Sequence, residues 1–131
     1  MSGNEMIILT NAVLITCIVQ RGTADAVVQA AQEAGAQGAT IFHGRGTGVR
    51  QKHLGLLGLT VNAEKEVIYI VVPDDQADRI FDRIFVAAKL DTPGMGIIYT
   101  TPIEKMATHI PHQIAARFGV HTERVAHDDA K

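Results

Sequence analysis

Glu66-Val67-Ile68-Tyr69-Ile70-Val71-Val72-Pro73-Asp74-Asp75 is the stretch that decides the fold. Six successive β-branched or aromatic residues, Val67–Val72, spell a strand, and Pro73 ends it. Asp74 or Asp75 is then placed to cap a helix running to about Leu90. Ile80, Phe81, Ile84, Phe85 and Ala88 recur at i, i+1, i+4, i+5 and i+8, one face of that helix.

Upstream, Val13–Val19 reads as a second strand of the same kind, closed by Arg21-Gly22. A helix is expected from about Thr23 to Ala34. Thr23 serves as N-cap, Asp25 suits the positive end, and Gly35 suits the left-handed position after the last turn. Ala39–His43 is a short strand, followed by a loop-like stretch from Gly44 to about Ala63 that holds five glycines. Downstream, Gly94-Met95-Gly96 makes a turn into a fourth strand, Ile97–Thr101. A short helix follows over Pro111–Phe118, and His121–Lys131 reads as a frayed tail.

The order β-α-β-β-α-β predicts an α+β fold, a ferredoxin-like sandwich with both helices on one face of a four-stranded antiparallel sheet. In Val13–Val19 and Val67–Val72 both alternating sets of side chains are apolar, whereas a strand with one wet face alternates. Two helices cover one face only. The second face is expected to be buried by further copies of the chain or, alternatively, by the C-terminal segment.

With 131 residues the chain is read as a single domain, 1–131, with a core over about 12–106 and a C-terminal extension and tail over 107–131. A net charge of -2 offers no basic field for a nucleic-acid backbone. Cys17 is the sole cysteine, which excludes an internal disulfide and suits a reducing, cytoplasmic setting. It sits within an apolar run as a small core residue. The apolar N-terminal segment, interrupted by Thr10, Asn11 and Thr16, is shorter than a membrane span and lacks the layout of a signal peptide.

Gly44-Arg45-Gly46-Thr47-Gly48 is the most unusual local feature. Alternate glycines let the backbone turn its N–H groups to one point, and Arg45, Arg50, Lys52 and His53 add positive charge around it. That combination suits a phosphate or carboxylate, although the segment matches neither a Walker A loop nor GxGxxG. The histidines, His109 and His112 among them, come without a metal-binding motif, so no metal site is assigned. Asp74, Asp75, Asp78 and Asp82 read as a helix start and its solvated face. No nucleophile-base-acid set can be assembled, which favours a binding protein over an enzyme.

Gly35-Ala36-Gln37-Gly38-Ala39-Thr40, Arg45-Gly46-Thr47-Gly48 with Arg50-Gln51-Lys52, Tyr69–Asp75, and Gly94-Met95-Gly96 before a strand together resemble the PII nitrogen-regulatory signal-transduction proteins. The resemblance runs from about Ala12 to Met106. It implies a homotrimer that binds an adenine nucleotide as effector, with no required cofactor, in clefts between subunits. It also implies a T-loop that contacts a partner, a membrane transporter or a regulated enzyme. The nucleotide-binding positions it implies are Thr40, Arg45, Gly46, Thr47, Gly48, Arg50, Val71, Gly94, Met95 and Gly96, with no catalytic and no metal residues.

The departures bear on the ligand. The family's lysine after the second B-loop glycine is Ile97 here, and its Arg-x-Arg pair is replaced by Ala107-Thr108-His109. Each missing cation removes a charge-assisted contact of roughly 1.5–3 kcal/mol. AMP, ADP or a cyclic nucleotide is therefore favoured over ATP, with Arg45 or Arg50 as replacement cations. The loop carries no tyrosine, so uridylylation there is not expected, and the metal and 2-oxoglutarate site that the family places at the glutamine matching Gln51 is not carried over. With these departures the chain resembles the PII-like branches, some of which serve inorganic-carbon or ion transport rather than nitrogen regulation. The alternative is a structural or metal-responsive trimer like the CutA proteins, without nucleotide binding.

Overall fold

The computed structural model describes residues 5–46, 63–109 and 111–126. The main sheet has four strands: β2 (Ala12–Gln20), β3 (Thr40–Gly46), β4 (Ala63–Pro73) and β5 (Gly96–Ile103). They are antiparallel in the order β3-β4-β2-β5. Helices α1 (Ala24–Glu33) and α2 (Asp74–Ala87) follow β2 and β4. This is the expected ferredoxin-like βαββαβ arrangement.

Strand alternation sorts the two faces. Ile15, Cys17 and Val19 of β2 and Ile68, Ile70 and Val72 of β4 are fully buried against Ala24, Val27 and Ala31 of α1 and Ala77, Ile80 and Ile84 of α2. Ala77, Ile80 and Ile84 form the buried stripe of α2, continued by Ala88 at its C-cap, while Phe81 and Phe85 flank it and are more accessible. Cys17 lies within this core, where burial pushes its thiol up to about 12. A neutral thiol of that kind is an inert core group.

The α1 N-terminus is capped from a distance. Thr23 occupies the N-cap position but makes no side-chain cap bond. Instead Glu66 of β4 accepts hydrogen bonds from the Gly22 and Ala24 amides, both at 2.9 Å. The Ala24 amide holds the Glu66 carboxyl below the usual range, helped by the Gly22 amide and the charge of His43. At the start of α2 the N-cap is Pro73, with Asp74 and Asp75 in the first turn, so the expected aspartate cap is replaced by charge alone. The Asp74 amide instead donates to the Asn11 carbonyl at 2.9 Å.

Glu66→Ala is expected to cost about 1–2 kcal/mol in urea unfolding at neutral pH. Because the folded pKa is depressed, this contribution is present above about pH 4.5 and fades as pH falls through the lowered value. The gap between wild type and variant should therefore close in acid. A gap that stays constant below pH 4 rules the carboxylate cap out.

A second sheet joins the chain ends. β1 (Glu5–Thr10) lies between β6 (Met106–Ala107) and β7 (Gly119–Arg124), in the order β6-β1-β7. Ile8 pairs with Ala107 and His121, and Leu9 with Met106 and Val120. Both Ile8 and Leu9 are buried. The expected frayed tail is thus corrected: His121–Arg124 is paired strand, and residues 127–131 lie outside the described residues. Lys105 and His121 reinforce β7 by donating to Glu123 at 3.0 and 2.8 Å, which lowers the Glu123 pKa. Asn11, at φ 60, is the break that sends β1 and β2 into different sheets. A short helix, α3 (His112–Ala115), bridges β6 to β7.

Among the described residues the second face of the main sheet is left open. On it Ile97 is 55% exposed, Tyr99 44%, and Phe42 and Tyr69 41% each. The described C-terminal residues are engaged with β1 and leave these side chains uncovered. The alternative in which the C-terminal segment buries this face is not realised among the described residues.

Candidate functional site

All four strands of the main sheet have an end at one side of it: β2 and β3 finish there, and β4 and β5 begin there. Gly46, paired with Ala63, closes β3, and Gly96, paired with Val19, opens β5. The expected loop from Gly44 is corrected at its start, because Gly44, Arg45 and Gly46 continue β3. Paired with β4, they are held in extended geometry. Thr47, Gly48 and Arg50 lie outside the described residues.

The Gly94–Gly96 turn is fixed from β2. Gln20 donates its Nε2 to the Gly94 carbonyl at 2.6 Å. Gly94 and Gly96 have φ of 83° and 147°, both in the region glycine favours. A Cβ on Gly96 would run into the Ile18 carbonyl oxygen. Met95 lies between them, partly buried.

Gly46 and Gly96 stand on opposite edges of the sheet, with β4 and β2 between them. Three interstrand spacings and an offset of three residues along the strands separate them, roughly 17 Å. Arg45 takes the helix side of β3 by alternation, whereas Thr40 and Val71 belong to the open side. One chain therefore gathers Thr40 with Val71 and, separately, Arg45 with its neighbours. It does not bring all the expected nucleotide positions onto one point.

Arg45 lines a shallow cavity of about 380 Å³ with Arg21, His43, Gly44 and Glu64. Arg21 donates to Glu64 at 2.7 Å across its mouth, an exposed pair of small energetic weight. Val71 lines a more enclosed, mainly apolar cavity of about 270 Å³ at the opposite end of β4. There β3 ends its pairing at Thr40–Tyr69, so Ile70–Pro73 have β2 on one side and no strand on the other. Of two successive strand residues, one turns its N–H and C=O to a given side, so this free edge offers main-chain polar groups. Gly35, Ala36 and Gln37, from the α1–β3 connection, form one wall.

The opposite wall comes from the C-terminal segment: Met106, Thr108, Ile114, Arg117 and Phe118. Sequence reasoning missed these five. Ile114 and Phe118 at i, i+4 signal a shared apolar side, but nothing local tells which surface they meet. Among the described residues no group of three His, Cys, Asp or Glu side chains is placed to hold a metal. Among them, too, no helix is long and apolar enough to cross a membrane.

The family model of nitrogen regulatory protein P-II matches residues 12–111. The chain belongs to the P-II family. In fold it is similar to the crystal structure of Arabidopsis thaliana PII bound to citrate. The TM-score is 0.57, at 23% sequence identity over 72% of this chain and 79% of that one. No curated protein sequence matches the chain significantly. The P-II match spans the main sheet, both long helices and β6, while β1, α3 and β7 lie outside the matched range.

Proposed function

We propose that this P-II protein is a non-catalytic homotrimer that senses an adenine nucleotide in clefts between subunits. It signals in the cytoplasm to a partner, a membrane transporter or a regulated enzyme, through the segment between β3 and β4. The cavity beside Val71 carries this reading: apolar walls for a ring, and a free strand edge for the ring's polar rim. The open apolar face supports the assembly. With Ile97 in place of a B-loop lysine, AMP, ADP or a cyclic nucleotide is favoured over ATP.

A thermal-shift panel of ATP, ADP, AMP, cyclic AMP and bicarbonate tests the proposal. The favoured nucleotides should stabilise the fold by about 2.7 kcal/mol per site at a hundred times the dissociation constant. Bicarbonate should do nothing. If no nucleotide moves the melting temperature at millimolar concentration, the sensor reading fails.

A further inference from the structure

Resting on the nucleotide reading above, we propose that the C-terminal segment Pro111–Phe118 is part of the ligand site and makes it selective for an adenine mononucleotide. Arg117 is its phosphate-binding residue. The segment lies outside the P-II match apart from Pro111, yet Ile114, Arg117 and Phe118 line the same cavity as Val71. It is tethered at both ends: β6 before it and β7 after it pair with β1. A wall held by two strand pairings is positioned before any ligand arrives.

The lining divides by chemistry. Ala36, Val71, Pro73, Ile114 and Phe118 make an apolar slot suited to a flat heterocycle, with the Phe118 ring as a stacking partner. Arg117 is the sole charged residue of the lining and is exposed. Among the described residues it makes no ion pair and no side-chain hydrogen bond. A guanidinium at the rim of an apolar slot matches an anionic group on a ring-bearing ligand.

Distance sets the class. Arg45 stands five residues along β3 from Thr40, roughly 17 Å, and on the other face of the sheet. It is too remote to serve a single phosphate on a base seated at Val71, whereas Arg117 shares that base's cavity. The charge missing after β5 is thus replaced from beyond β6, next to the base.

Calorimetric titration of wild type, Arg117→Ala and Phe118→Ala with AMP, cyclic AMP and adenosine tests this. Arg117→Ala is expected to weaken AMP and cyclic AMP about tenfold or more and to leave adenosine unchanged. Phe118→Ala should weaken all three alike. Arg117→Lys should recover part of the loss, and an unchanged light-scattering mass shows that each variant is intact. If wild type binds a nucleotide and Arg117→Ala keeps the wild-type ratio of AMP to adenosine affinity, this assignment is overturned while the sensor reading stands. If wild type binds none of the nucleotides, both are overturned.

Discussion

Tyr99→Glu is expected to convert a particle of about 42 kDa, three copies of the 14.1 kDa chain, into single chains. Tyr99 and Tyr69 both pair with Thr16 across β2 and flank it from either side. Thr16 itself is buried, and Phe42 meets Tyr69 edge-on at 5.0 Å between ring centres. Together with Ile97 these rings form an apolar surface that two helices on the far side leave uncovered. Aromatic side chains bury on the order of 150–250 Å² each, so their joint cover is a strong drive to associate. A carboxylate at Tyr99 would have to be desolvated without a partner, at a cost of several kcal/mol per copy. The monomer should survive, because Tyr99 packs on the side away from the helical core. Val86→Glu is the matched control: Val86, on α2, is more exposed than any of these rings and should leave the mass unchanged. Light scattering decides it. Equal masses for Tyr99→Glu and wild type, or a wild-type mass of one chain, would remove this face as an interface.

Gly96→Ala is expected to cost about 3 kcal/mol or more in urea unfolding. Its φ of 147° is strained for any L side chain. The added methyl would also meet main chain: the Ile18 carbonyl oxygen, with the Ile18 carbonyl carbon at 3.2 Å and the Val19 Cα at 3.1 Å. β2 is hydrogen-bonded to β4 on one side and β5 on the other, so it has no room to retreat. Gly38→Ala is the control, with nothing within 4 Å of the added carbon. Should both substitutions cost under about 0.5 kcal/mol, the close approach of the Gly94–Gly96 turn to β2 is not what glycine serves there.

The long strands and helices were legible because their signals are local. Val67–Val72 and Pro73 mark a strand and its end by side-chain branching and a missing N–H, and both strands and helices appear where the periodicity places them. Thr23 was legible as an N-cap position but not as an unused one, because the real cap, Glu66, arrives from a strand 42 residues away. The Arg45-Gly46 segment looked like loop because its glycines lack a strand signature, and pairing with β4 overrides that. The glycine turn at Gly94–Gly96 and the Val71 strand were readable as a turn and a strand. The wall of Ile114, Arg117 and Phe118 was not, since a four-residue helix carries no information about what it packs on.

By itself the sequence determined the order of elements, the apolar character of both faces of the main sheet, and the P-II resemblance over its middle. Those properties depend on residue types a few positions apart. Only the tertiary structure decided that the described residues leave the second face open, that Asn11 splits the N-terminal apolar run, and that β1 and β7 meet across the whole chain. It alone placed Arg117 and Val71 on the lining of one cavity. Each of these depends on pairings between residues far apart in the chain, whose partner and register no local pattern encodes.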